Sequence, residues 1–303
     1  MDEPTFAGAV PPERTRRFDS LGVALHLSEW GDPAAPPVVL LHGMFDNGRG
    51  FDLLAPLLAE RFRVIAIDAR GHGDSAWADA YVWGCDVLDV ANVVRSLGRP
   101  AHLVGHSRGG GVAIDVTLQA PSLVRGLVSI DGFGPPPEGF AVPAMRPRHE
   151  RSIPERCADF LDARRNAASE HAQRCYPALD DLVERRRAQN PRLTVEWLRY
   201  FVFHGARRTE RGWTWKADLN AARGFGPWRP DWIGTGWQTL RRPMLAMIGS
   251  EQDTWGPLPE SILEPRLRRV PDLQRVTVAG AGHFVHMEQP RETARALLDF
   301  LGR

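Results

Sequence analysis

Six short runs constrain this chain more than any other feature. They are "PVVLLHG" (Pro37 to Gly43), "RVIAIDARG" (Arg63 to Gly71), "AHLVGHS" (Ala101 to Ser107), "VRGLVSIDG" (Val124 to Gly132), "PMLAMIG" (Pro243 to Gly249) and "LQRVTVAGAG" (Leu273 to Gly282). Each is short, mainly apolar and closed by a glycine or a small polar residue. Strands buried on both faces read this way, and a parallel sheet demands such strands. Helical patterns lie between them. Val87, Val90, Val94 and Leu97 recur at steps of three and four and mark one helix face. "PRETARALLDFLGR" opens with Pro290, suited to a first helical turn, and predicts a closing helix. Strand–helix alternation at this spacing predicts a parallel α/β sheet. "FDSLGVALHLSEWG" ahead of it reads as an N-terminal hairpin.

The alternation breaks between residues 133 and 238. A Pro/Gly-rich exit, "GFGPPPEGFAVPAMRP", leads into Arg-rich helical stretches and then a segment holding Trp213, Trp215, Trp228, Trp232 and Trp237. The regular pattern resumes at Pro243. Residues 1–132 and 239–303 are therefore expected to form the core, with residues 133–238 inserted as a mainly helical cap or lid. The tryptophans are expected to fill the cap's own core, and the Arg185, Arg186, Arg187 run to be a solvated helix face.

With 303 residues the chain suits one large α/β domain carrying an insertion. Its formal net charge of +1 gives no ground for nucleic acid or an anionic membrane as partner. No apolar run approaches the ~20 residues of a membrane span. The start lacks the apolar core of a signal peptide. The cysteines, Cys85, Cys157 and Cys175, are odd in number and lack metal-type spacing, so free thiols in a cytoplasmic protein are expected. The sequence leaves the oligomeric state open.

The chemistry concentrates at "GHSRG", Gly105 to Gly109. The pattern G-x-S-x-G between a strand and a helix places a serine on a strained turn, its Oγ exposed and the next helix's N-terminus beside it. Ser107 is the expected nucleophile. "LLHGMFDNG" ends a neighbouring strand, and its loop can turn the Met44 N–H toward the serine. The Arg108 N–H supplies the second oxyanion donor. A serine needs a base. Of the ten histidines, His283 in "GAGHFVHMEQP" follows the last core strand, at the sheet edge where ligands gather. His286 is read as packing beneath that loop, and His42 as structural. The base needs an orienting carboxylate. Asp253, in "IGSEQDTWG", is the first choice; Asp131, in "SIDGFG", is the alternative, competing with a plain Asp-Gly turn.

The pieces "LLHGMFDNG", "AIDARGHGDS", "LVGHSRGG" and "GAGHFVHMEQP" together resemble the α/β-hydrolase superfamily. The resemblance covers both core halves. It implies an eight-stranded, mostly parallel sheet flanked by helices, a cap inserted after the sixth strand, and structural roles for Asp68, Arg70 and Asp74. The family's acid usually stands three residues after the glycine of G-x-x-D, where this chain has Gln252; some members carry it after the sixth strand, where Asp131 lies. Ser107 disfavours the members with an aspartate nucleophile. The expected function is a serine hydrolase cleaving an ester-type acyl bond of a small, apolar substrate through an acyl-enzyme, with neither metal nor organic cofactor. Two other readings stand beside it: a carbon–carbon bond (diketone) hydrolase of the same fold, and a ligand-binding member that has lost the chemistry.

Overall fold

The structure is a computed structural model, and it describes residues 3–134, 154–155, 157–159, 161–162, 174–223 and 234–302. Eight strands form one sheet. They are β1 (Arg14–Ser20), β2 (Val23–Trp30), β3 (Pro37–Leu41), β4 (Arg63–Ile67), β5 (Ala101–His106), β6 (Val124–Ile130), β9 (Met244–Gly249) and β10 (Leu273–Val278). Their order is β1-β2-β4-β3-β5-β6-β9-β10. β1 pairs antiparallel with β2, and β2 antiparallel with β4; every other pairing is parallel. The six runs are the six parallel strands, and the N-terminal hairpin is the antiparallel edge.

The reason is visible in β3. Val38 and Leu40 enter the apolar cluster on one face of the sheet, while Val39 and Leu41 enter the cluster on the other. A strand covered on both sides has no solvent face, so its apolar run is continuous. One face is covered by α2 (Trp83–Ser96), α3 (Arg108–Gln119) and α6 (Glu260–Leu267), which contribute Val90, Ile114 and Leu263. The other is covered by α1 (Ala55–Ala59) and α8 (Pro290–Leu301), which contribute Leu58 and Leu297.

Between β6 and β9 the chain leaves the sheet. Its described part holds helices α4 (Leu179–Gln189) and α5 (Val195–Gly205) and a hairpin of β7 (Ala206–Thr209) with β8 (Gly212–Trp215). Leu182, Trp197, Phe201 and Trp213 join a third apolar cluster, which also takes in Phe284 and Met287 from the loop and short helix after β10. That helix is α7 (Val285–Glu288). Trp213 does fill this cluster, whereas Trp237 packs with the main core, as does Phe133 at the segment's start. Trp228 and Trp232 lie outside the described residues. The arginine run is not one solvated face: Arg185 and Arg187 are exposed, but Arg186 is buried. The cause is periodicity, since Leu179, Leu182, Val183 and Arg186 share the buried stripe of α4. None of the three cysteines forms a disulfide. No described helix is long and apolar enough to cross a membrane.

Candidate active site

Parallel pairing brings the ends of β3, β5, β6, β9 and β10 to one edge. At that edge Ser107 joins β5 to α3 with φ 52° and ψ −118°. A non-glycine residue there carries strain on the order of 1–3 kcal/mol and is held only by its surroundings. Those surroundings have no room for side chains. A Cβ on Gly105 would stand 2.2 Å from the Gly109 carbonyl oxygen, one on Gly109 2.3 Å from that of Leu41, and one on Gly132 2.3 Å from that of Ser107. The Ser107 amide donates to the Ile130 carbonyl at 2.9 Å, tying the turn to the end of β6. Of the four described non-glycine residues with positive φ, three lie at this edge: Phe45, Ser107 and Asp131.

His283 follows β10 and is buried. Its Nδ1 lies 2.5 Å from Asp131 Oδ2. Asp131 sits one residue past β6, and its own amide donates to the Met247 carbonyl at 2.8 Å. The expectation that Asp253 pairs with the ring is not met. Asp253 Oδ2 instead accepts from the His283 backbone N–H at 2.7 Å, and its Oδ1 accepts from the amides of Trp255 (2.7 Å) and Gly256 (3.2 Å). With both oxygens turned to backbone donors, Asp253 folds the loop on which the ring is presented. Asp131 reaches the ring because β6 neighbours β5, so the carboxylate stands beside the elbow. Gly256 closes over the pair: a Cβ there would meet Asp131 Oδ2 at 2.2 Å and His283 Nδ1 at 3.1 Å. Burial alone would depress the His283 pKa, but the Asp131 charge and hydrogen bond outweigh it and hold it above 6.5.

The loop after β3 turns back at Gly43 to Asp46, where the Asp46 amide donates to the Gly43 carbonyl at 3.3 Å. Met44 lies in this turn. Among the described residues no acceptor takes the backbone N–H of Met44 or of Arg108. The Arg108 side chain is anchored behind the elbow by Asp86 and lies over the Trp83 ring at 5.6 Å. His42 is structural: Nε2 accepts from the Ala69 amide at 3.0 Å, so Nδ1–H faces the Gly43 carbonyl at 2.7 Å. His286 is buried against Phe51, with ring centroids 4.9 Å apart, and burial drives its pKa far down. His106 donates its Nε2–H to the His283 carbonyl at 2.9 Å and fixes that backbone from the elbow side.

Asp68, Arg70 and Asp74 bind within the fold. Asp68 accepts from the amides of Gly48 and Asp74 at 2.6 and 2.8 Å, and Arg70 forms a two-pronged pair with Asp89 at 2.8 Å. His26, Asp68 and Asp74 are close enough to share a cation, but Asp68 is already committed to those amides.

Strand order, elbow and a carboxylate–histidine pair together define a nucleophile-elbow fold, and comparison agrees. The sequence profile described as "Alpha/beta hydrolase family" matches residues 38–296. The chain belongs to the alpha/beta hydrolase family. It is 31% identical to an esterase of Mycobacterium tuberculosis over 284 residues, covering 91% of this chain and 87% of that one. It is 28% identical to the 2-(acetamidomethylene)succinate hydrolase of Mesorhizobium japonicum over 293 residues, covering 95% of each. A solved structure of an enzyme of that kind superposes with a TM-score of 0.75 at 25% identity, covering 96% of this chain and 99% of that chain. An sn-1-specific diacylglycerol lipase of Mus musculus is 27% identical over 281 residues, covering 89% and 82%.

The sequence reading missed Gly256, which nothing in the local pattern marks. It also missed the burial of Arg186, for which the stripe of α4 was the available signal.

Proposed function

We propose that the protein is a serine hydrolase that cleaves an ester-type acyl bond with Ser107, His283 and Asp131. The observation that carries this reading is the left-handed backbone of Ser107 at a strand-to-helix joint, a conformation that costs free energy and presents Oγ at the open edge. In the neutral ring Asp131 accepts from Nδ1–H, which leaves the Nε2 lone pair to take the serine proton. Oγ attacks the acyl carbon, and the developing oxyanion accepts from the N–H groups of Met44 and Arg108. His283 then gives its proton to the leaving alkoxide. Water, deprotonated by the same histidine, releases the acid and restores the serine. Asp131 takes the acid role here in place of Asp253.

An ester is preferred over a carbon–carbon bond because two of the relatives are named for ester cleavage, an esterase and a diacylglycerol lipase. The segment between β6 and β9 serves in this reading as a cap. Its aromatic cluster, shared with Phe284 beside His283, favours an apolar acyl chain. A panel of p-nitrophenyl esters of rising chain length, with one diketone, tests the assignment. Ester turnover in the parent and none in Ser107→Ala is expected; diketone cleavage without ester cleavage would replace the substrate class.

A further inference from the structure

Arg186 is the one residue of its arginine run that the fold buries. Its guanidinium donates through Nη2 to Asp46 Oδ1, and its Nη1 lies 3.5 Å from the Phe45 carbonyl oxygen. The cation lies over the rings of Phe201 at 5.2 Å and Phe284 at 5.8 Å. Such a group is costly to desolvate, and a methionine would fill the space without that cost. What it gains is a grip on one particular turn. Asp46 is buried; its other carboxylate oxygen lies 3.6 Å from His106 Nδ1 and would stand 2.7 Å from a Cβ on Gly43. Phe45, whose carbonyl faces Arg186, has a φ of 59°. Both residues belong to the turn that presents the Met44 N–H. Burial works against the Asp46 charge, but the Arg186 guanidinium beside it keeps it ionised.

The same stretch is tied to the other loops of the site. Trp255 Nε1 donates to the Gln189 carbonyl at 2.8 Å, and Arg192 donates to Glu288 at 2.7 Å and to the Gly280 carbonyl at 2.8 Å. Residues 186–192 therefore touch the loops after β3, β9 and β10 together.

We propose that Arg186 is a positioning residue of the oxyanion hole: by holding Asp46 and the Phe45 carbonyl from the inserted segment, it aims the Met44 N–H, so the hole is complete only while α4 is seated on the core. The proposal rests on the serine-hydrolase reading of Ser107.

The test uses the whole protein, a p-nitrophenyl ester, a fluorophosphonate and an alkylboronic acid. The boronic acid forms a tetrahedral adduct with the serine and places an oxygen in the hole. Loss of one oxyanion donor typically costs about 10²–10³ in kcat. Arg186→Met is expected to lower kcat by about 10² with KM within about threefold, and to weaken boronic acid inhibition in step with kcat/KM. Arg186→Lys recovers part of the loss. Asp46→Asn reproduces it, and the double variant is no worse than either single one, because the two act as a unit. If Arg186→Met does not fold, Arg186→Lys and Asp46→Asn carry the same comparison. Parent-level kcat in folded variants, or a loss confined to KM or to melting temperature, overturns the proposal. A parent enzyme that neither turns over ester nor takes up fluorophosphonate defeats the reading of Ser107 and the proposal with it; an active parent with equally active variants defeats the proposal alone.

Discussion

Asp131 and His283 meet at 2.5 Å at one sheet edge, although 152 positions separate them in the chain and β9 lies between their strands. The contact depends on β6 lying beside β5 and on β10 ending at the same edge. It assigns the two aspartates different work. Asp131 orients the ring through Nδ1; Asp253 holds the backbone of the same histidine.

Substitution separates those roles. Asp131→Asn is expected to lower kcat by roughly 10⁴, because the ring loses its tautomer control and the imidazolium its counter-charge. Asp253→Asn keeps most of kcat and lowers stability by about 1 kcal/mol, since it weakens a backbone acceptor in a loop. Steady-state kinetics beside thermal melts of both variants reads the difference. The reverse pattern would return the acid role to Asp253.

The pH profile follows from His283. Its pKa is held above 6.5, and catalysis needs the neutral ring. The rise of kcat/KM with pH is therefore expected to have its midpoint above 6.5, and in Asp131→Asn that midpoint moves down as the carboxylate charge is lost. The stability sign is opposite. A raised folded pKa stabilises the protein below the unfolded value, and this contribution is lost as pH rises through the folded pKa. A midpoint unchanged by the substitution would show that Asp131 is not what holds the ring's charge.

Gly256 gives a steric test that alters no catalytic group. An added Cβ would enter the space between Asp131 and His283, at 2.2 and 3.1 Å. Gly256→Ala is expected to displace the pair and lower kcat on the order of 10²-fold, the size of loss an ångström of misplacement can cause. Fluorophosphonate labelling slows in parallel. Normal kinetics in the folded variant would mean that the loop yields and that the pair tolerates it.

A further polar contact, between the segment linking β6 to β9 and the turn after β3, predicts stability. Tyr200 on α5 donates its hydroxyl to Asp52, and Arg49 donates to the same hydroxyl at 2.7 Å and to Asp52 at 2.6 Å. Asp52 is fully buried. Tyr200→Phe removes one of its donors and is expected to destabilise by about 1–3 kcal/mol. Differential scanning calorimetry would show a melting temperature lower by several degrees; an unchanged value would mean that Arg49 alone satisfies the carboxylate.

The sheet was legible because burial on both faces leaves an unbroken apolar run, and all six runs became parallel strands. The elbow was legible because G-x-S-x-G fell between such a run and a helix. That His283 comes to the same edge was legible from its place after β10. Which aspartate faces the His283 ring was not, because two aspartates reach one edge and only tertiary packing, Gly256 included, separates them. Arg186 looked like one of three solvated arginines. Its position on the stripe of Leu179, Leu182 and Val183 carried the opposite signal, which composition alone masks.

An activated Ser107 forms a covalent adduct with an electrophile that spares ordinary serines. The whole protein is treated with a fluorophosphonate, digested, and the adduct mapped by mass spectrometry. A single phosphonylated site is expected on the peptide containing "GHSRGG", formed in the parent, absent in Ser107→Ala and strongly slowed in His283→Ala. An unmodified Ser107 in the folded parent, or an adduct on another residue that persists in Ser107→Ala, would contradict it.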